Sequence, residues 1–503
     1  MEFNNIPTNI VSRILDQLVE FCGTPDKTLE VRRSLLMARL VCRKWNMLAA
    51  RRLYHTIKLV PRQSISEDED EFKSWNKILD NAAARSAAQR VIIRSCPDNL
   101  SRDKIGDLEV WDDWKKGKYP GFTSAISRIV ELLKIAALEL HFSEACHGRD
   151  LESWEDEGEP IEARLNTLKA IFQAIQDRAA QGNAECSKIR SLTICNLQNV
   201  PHHDFVSSSL FKDVAKDIER LHLLVVEEYN EHGPDCDVFV QERLEYERHL
   251  QNDILPHFAE NLTALSLFFR EPWGAMPGHF DGGGLVFPRL KTLNLGNFVI
   301  KDNSHFDWVL SQKSLETLRM DSCYILSYIR TDTEHTAKWN LKTKDWQRLP
   351  NGSYGFLAED DDIFSYDGTW EAVFDRIHER LPDLRDLRVD ENKYNLNFLQ
   401  RSQLSTLLLP SRYIAFDIGI LPSPWIETSI EDGEMEFGDN NPNTDDMKED
   451  NGKAGDDDEN FILNRAAETR NGDTRAFNEL LEACRARNSA CSSSRCGNLG
   501  AKS

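Results

Sequence analysis

The chain lacks most of what marks a membrane protein or a familiar enzyme. Nowhere in its 503 residues does an apolar run approach the roughly 20 residues needed to cross a bilayer, so no membrane association is expected. The opening Met1-Glu2-Phe3-Asn4 has neither the basic start nor the apolar stretch of a secretory leader. Eleven cysteines are present without one C-x-x-C pair, which removes the usual zinc frameworks. An odd, scattered set is expected as reduced thiols of a cytoplasmic and/or nuclear chain. G-x-S-x-G, P-loop and H-E-x-x-H sequences are all missing. His202-His203-Asp204 is a lone cluster with no second ligand group, so no metal is expected. Asp281-Gly282-Gly283-Gly284 is followed by no Lys-Ser/Thr that could hold phosphate and magnesium, and reads as a linker. Neither a catalytic residue nor a cofactor is expected.

Excess positive charge is also missing. The net charge is −22, a poor basis for binding nucleic acid, because phosphate contact needs Lys and Arg. The charge is uneven. Residues 431–460 hold thirteen acidic residues against two lysines, −11 or half the total, and their low apolar content predicts disorder. Residues 1–60 run the other way, with ten Lys/Arg against five Asp/Glu. A basic head of this kind can steer towards an acidic partner surface.

What is present begins at the amino terminus. Pro7 suits the first turn of a helix, where its missing N–H costs nothing. Ile6, Ile10, Ile14 and Leu18 recur every four residues with Val11 and Leu15 beside them, one apolar stripe opposite Asn9, Arg13, Asp16 and Gln17. Gly23-Thr24-Pro25-Asp26 breaks this helix. A second periodic stretch follows, with Leu36, Leu40, Val41, Trp45, Leu48, Ala49 and Leu53 as its apolar positions. Helices this short cannot bury so much surface among themselves. The order of elements (apolar residue and Pro, aliphatic helix, then Leu40-Val41-Cys42-Arg43-Lys44-Trp45) resembles an F-box over roughly residues 5–54. Thr8-Asn9 stands where that family usually has an acidic residue, and Val19–Leu35 is longer than the compact family version. The resemblance implies a Skp-type adaptor as partner and, through it, a cullin–RING ubiquitin ligase. It implies Ile6, Pro7, Ile10, Val11, Ile14, Leu15, Leu40, Val41, Cys42 and Trp45 as the adaptor-binding residues. The alternative is that these helices cap the core of the following domain.

From about residue 53 short aliphatic strands alternate with helical stretches. The phrase Leu-x-x-Leu-x-aliphatic occurs at Leu262-Leu265-Leu267, Leu290-Leu293-Leu295, Leu315-Leu318-Met320, Leu384-Leu387-Val389 and Leu404-Leu407-Leu409. Looser versions start at Ile135, Ile189 and Ile218, and earlier strands are expected at Ile57–Leu59 and Val91–Ile93. Chance would leave roughly one or two strict phrases in such a chain. The pattern resembles irregular leucine-rich repeats, and coupling to an F-box is a fungal arrangement. The implied fold is α/β: a small helical module, then a right-handed α/β solenoid with its aliphatic residues inward. Cys323 and Asn392 fall where the repeat consensus places Cys or Asn. An ordinary α/β domain is the alternative. The expected domains are 1–54, the helical module; 55–424, the repeats; 425–460, an acidic linker; and 461–503, a short helix and flexible tail.

Two stretches interrupt the repeats. Residues 227–250 carry Tyr229, Phe239 and Tyr246. Residues 328–380 carry Trp339, Trp346, Tyr354, Phe356, Tyr366 and Trp370 amid Glu359-Asp360-Asp361-Asp362. Insertions in repeat arrays emerge on one face and often bind. Trp339, Trp346, Tyr366 and Trp370 are therefore candidate substrate-binding residues, with burial against the repeats as the competing account. The implied function is a non-catalytic receptor that presents a protein substrate to the ligase; a repeat scaffold outside any ligase is the alternative.

Overall fold

The computed structural model describes residues 6–21, 28–62, 71–96, 113–114, 116–146, 148, 158–182, 185–227, 238–350, 353, 361–390, 408–418, 424–427, 434–436, 461–463 and 465–497. The chain divides into two compact units, Met1–Asn196 with Ser207–Leu221 and Leu197–Val206 with His222–Ser503, not at the expected boundaries near 54 and 424. Each is mixed α/β with mostly parallel strands.

The first unit opens with three helices, α1 (Thr8–Phe21), α2 (Thr28–Ala38) and α3 (Arg43–Leu53). They do not stand alone, because α3 packs against the short helix Ala82–Ala87. Strands β1 (Thr56–Leu59), β2 (Arg90–Arg94), β3 (Ala137–His141) and β4 (Ser191–Gln198) then pair in chain order, each parallel to the next. Their aliphatic side chains stand in columns: Ile57, Val91, Leu138 and Leu192 in one, Leu59, Ile93, Leu140 and Ile194 in the other, all buried. A slip of one residue would turn every column to the opposite face, so the apolar alternation fixes the register. Helices such as Ile161–Ala180 carry the chain back between strands. Each return ends alike, two successive N–H groups donating to one carbonyl of the strand before: Gln89 and Arg90 to His55, Ala136 and Ala137 to Gln89, Arg190 and Ser191 to Ala136, at 2.9–3.2 Å.

The last strand to begin in that unit is β5 (Arg220–Val226). In the second unit β6 (Ala264–Trp273), β7 (Thr292–Ile300) and β8 (Thr317–Asp321) are again parallel and in register, Leu265 beside Leu293 beside Leu318, and Leu267 beside Leu295 beside Met320. The junction recurs as well, with Lys291 and Thr292 donating to Thr263, Glu316 and Thr317 to Lys291, and Arg385 and Asp386 to Glu316. The repeated phrase is thus a repeated hydrogen-bonded structure.

Beyond β8 the pattern departs from expectation. The stretch read as a protruding insertion is built into the fold as strands and helices: β9 (Tyr324–Asp332), β10 (Gln347–Arg348) and β11 (Asp361–Ser365) pair antiparallel in the order β9-β11-β10, beside the helices Thr333–Lys338 and Trp370–Arg380. Next come β12 (Asp386–Asp390), parallel to β8, and β13 (Tyr413–Asp417), parallel to β9 and antiparallel to β14 (Trp425–Glu427). Tyr324–Ile329 is buried throughout, as a strand covered on both faces must be.

The carboxyl-terminal region also differs. In place of a short helix and flexible tail, Arg470–Gly497 is a helix of 28 residues. It folds back on the helix Trp370–Arg380, where Phe477 meets Phe374 at 5.2 Å. Its Asp473, wholly buried, accepts from Arg412 Nε (2.7 Å), Tyr413 Oη (3.0 Å) and the Glu371 N–H (2.8 Å). Within the stretch expected to be disordered, Glu434–Glu436 pairs antiparallel with Phe461–Leu463. Residues 437–460 lie outside the described residues, as do Asn392, Leu404, Leu407, Tyr229, Tyr354 and Phe356.

Candidate docking surface

Helices α1–α3 enclose a small core of Val11, Leu15, Leu35, Ala38, Leu48 and Ala49, with Ile6, Leu18, Val31, Trp45 and Leu53 partly buried against it. Polar ties fix the arrangement. Arg52 of α3 bonds Asp16 Oδ1 (2.9 Å through Nε) and the Ser12 carbonyl (2.9 Å) of α1. Lys44 Nζ donates to the Ile6 carbonyl at 2.9 Å. Arg39, at the end of α2, bonds Asn46 (3.0 Å) and the Tyr54 hydroxyl (3.1 Å). The Pro7 carbonyl accepts from Ile10 and Val11 N–H, closing the first turn of α1 where the proline reading placed a helix start.

This core uses only part of the apolar surface. Among the described residues nine large hydrophobic side chains are exposed, and seven belong to this module: Ile10, Ile14, Leu36, Met37, Leu40, Val41 and Met47. Leu40 is 81% exposed and Met37 69%, levels at which an apolar side chain gains little from its own fold. Scattered single apolar residues on a surface are ordinary, whereas so many within one three-helix module make it a candidate interaction surface. Arg13, Arg32, Arg33, Arg43 and Arg51 are exposed in the same module, against Glu30 and the Arg52-paired Asp16. The module's exposed residues therefore combine apolar side chains with an excess of basic ones.

The ten residues expected to meet an adaptor thus fall into two groups. Pro7, Ile10, Ile14, Leu40 and Val41 are exposed, and Ile6, Cys42 and Trp45 are partly so. Val11 and Leu15 must be corrected: both have no exposure and hold the module together from inside. Sequence reasoning missed Leu36 as a surface residue and overlooked Met37 and Met47.

The proposed substrate aromatics need correction as a group. Trp339, Trp346, Tyr366 and Trp370 are all buried. Trp346 donates its indole N–H to the Lys301 carbonyl (2.9 Å), Trp370 to the Arg412 carbonyl (2.8 Å), and the Tyr366 hydroxyl bonds Asn303 (3.0 Å). Large rings with a single polar atom pack well inside when that atom finds a partner, and three of these do.

The second unit also contains a line of buried and half-buried titratable groups. Lys301 Nζ lies 2.8 Å from His279 Nδ1, whose Nε2 lies 3.0 Å from Asp281. Burial pulls Lys301 down to about 8 and pushes the Glu247 carboxyl up to about 7. His279 holds Asp281 well below the usual carboxylate range. The cavity bordered by Glu227, Tyr246, Glu247, Phe269 and Trp273 has room for about one water molecule, too little for a substrate. The glycine run serves this region structurally. Gly282 (φ +60°) donates to Gln251 Oε1 (2.9 Å), and a Cβ there would come within 2.2 Å of Trp308. Gly283 donates to Asp281 (2.9 Å), so these amides hold the protein's own acceptors rather than a phosphate.

Compared with family models and with curated proteins, the chain matches none of them. Among the described residues no helix is long and apolar enough to cross a membrane, and Cys42, Cys96, Cys146, Cys186, Cys195, Cys323 and Cys484 are unpaired.

Proposed function

We propose that this chain is the non-catalytic substrate-recognition subunit of a Skp–cullin–F-box ubiquitin ligase, acting in the cytoplasm and/or nucleus. In this reading α1–α3 are the F-box, and the parallel strands with their returning helices are an irregular, right-handed leucine-rich-repeat-like solenoid that holds a protein substrate. The observation that carries the proposal is the concentration of exposed apolar side chains on α1, α2, α3 and the turn after α2. It is supported by the resemblance of residues 5–54, which runs through the same side chains. Each aliphatic group buried against the adaptor contributes roughly 1.5–3 kcal/mol, so two or three of them account for specific capture. The chemistry belongs to the conjugating enzyme. The receptor contributes proximity, raising the effective concentration of a substrate lysine at the thioester.

The test is capture by a purified Skp adaptor. Wild type is expected to bind, and Met37→Asp/Leu40→Asp is expected to lose binding while keeping its fold. Equal capture of both would end the reading. A repeat scaffold working outside any ligase predicts no capture of wild type, and partner binding that survives deletion of residues 1–55.

A further inference from the structure

His202-His203-Asp204 offers no second ligand group along the sequence, but the fold supplies one. His203 opens the helix His203–Ser207. His249 closes the helix Gln241–His249, and the chain runs on through a π-helical turn, Leu250–Ile254, that carries Asp253. Two imidazoles from separate segments converge on one carboxylate oxygen: His203 Nδ1 is 3.3 Å from Asp253 Oδ2 and His249 Nδ1 is 2.7 Å from it. The ring centroids are 4.4 Å apart at 72°, and one ligand atom from each of the three residues lies within 4.8 Å of the others.

We infer that His203, His249 and Asp253 form a binding site for a divalent transition-metal ion of the zinc class, with a fourth position open to solvent. Bonds of about 2.0–2.1 Å in a tetrahedron place ligand atoms roughly 3.3–3.4 Å apart. The His203–Asp253 separation is already of that size, and the His249–Asp253 pair needs to open by less than about 1 Å. Two imidazoles with one carboxylate select zinc and its late first-row neighbours over magnesium or calcium, which prefer oxygen. Exposure divides the roles. The His249 side chain is 1% exposed and anchors the ion, whereas His203 at 65% and Asp253 at 45% can adjust around it. Water, or a side chain of a binding partner, completes the coordination from the open side. His249 Nε2 is buried without a hydrogen-bond partner. Metal on Nδ1 therefore lacks the outer hydrogen bond that usually steadies a ligating histidine, which lowers affinity by about 10–100-fold relative to sites that have it. The competing account is a carboxylate accepting hydrogen bonds from two imidazoles, with no ion.

The decisive experiment titrates the full chain, chelator-treated and kept reduced, with cobalt(II) and then zinc(II). The site predicts visible d–d absorption of tetrahedral, sulfur-free cobalt that saturates at one equivalent and is displaced by zinc. His203→Ala and Asp253→Asn, each measured separately, are expected to weaken this binding at least tenfold. His203 is exposed and Asp253 half-buried, so without metal the unfolding temperature of His203→Ala should match wild type, and only wild type should be stabilised by zinc. Three results would overturn the inference: no saturating signal in wild type at millimolar metal, a sulfur-to-cobalt charge-transfer band, or wild-type affinity in both variants.

Discussion

The amino-terminal helices and the stretch 328–380 are both rich in large apolar side chains, and they dispose of them in opposite ways. In the first, Ile10, Ile14, Met37, Leu40 and Met47 face solvent around a core cluster of only six buried residues. In the second, Trp339, Trp346, Tyr366 and Trp370 are sealed, their ring edges satisfied by carbonyls or by Asn303 where a partner exists. Size explains the difference. Three short helices have too little interior to hide two apolar faces, whereas a larger body of sheet and helix has interior to hold them. Aromatic residues in a large α/β unit are therefore weak evidence for a binding site until their exposure is known. Aliphatic residues left outside a small module are stronger evidence.

The comparison can be broken most forcefully at Leu15. Its neighbour Ile14 is 41% exposed and Leu15 not at all. Leu15→Asp puts a charge into the module core and is expected to cost more than about 4 kcal/mol, melting α1–α3. Loss of amide protection across residues 8–53 in hydrogen exchange would register it, while Ile14→Asp should leave protection intact.

Next in size is Trp370→Ala. The buried ring stacks on Phe374 at 5.2 Å and holds the Arg412 carbonyl, so its loss should cost about 3–5 kcal/mol in chemical denaturation. A cost below 1 kcal/mol would return this residue to the surface, and with it the case for an aromatic substrate site.

A third test sharpens the picture of the second unit as a packed body that stores polar groups. Glu247 is held near 7 in the fold, mainly by burial, against its ordinary 4.5. Below about 4.5 the carboxyl is protonated whether the chain is folded or not. As pH rises towards 7 the unfolded chain releases that proton and the folded one keeps it, so stability falls across this window and levels off above it. The full effect is up to about 3 kcal/mol. Glu247→Gln removes it, so wild type should lose ground to the variant between pH 5 and pH 8. Parallel denaturation curves at the two pH values would contradict the burial argument.

Much of this architecture is legible in the sequence because strand register leaves a periodic trace. Leu265, Leu293 and Leu318 share a column since each stands at the same place in its phrase. The asparagine rungs left a fainter trace. Asn196 and Asn297 adopt positive φ and donate to the carbonyls of Phe142 (3.0 Å) and Phe269 (2.8 Å). Each stands two residues past the last aliphatic of its phrase (Ile194 and Leu295), a position from which a short amide can reach the neighbouring strand. Cys323 donates instead to the Leu295 carbonyl at 3.6 Å. Which half of the α1 stripe faces inward could not be read. Val11 and Ile10 differ by one residue, about 100° of helix, and only the positions of α2 and α3 decide between them. Nor could the pairing of His203 with His249 be foreseen, since the spacing of His249 and Asp253 shows one helical face but not what faces it.

The smallest effect on folding belongs to the most informative substitution. Leu40 is 81% exposed in the turn between α2 and α3, so Leu40→Asp removes almost no internal packing. Its stability should stay within about 0.5 kcal/mol of wild type. If the side chain is instead buried by an adaptor, the same change leaves a charge in an apolar interface and adaptor capture should fall by at least tenfold. Leu15→Asp, by contrast, would lose capture together with the fold and say nothing about contact. A surface leucine that matters for binding and not for folding can only be serving another molecule, and the two measurements on one variant separate those roles.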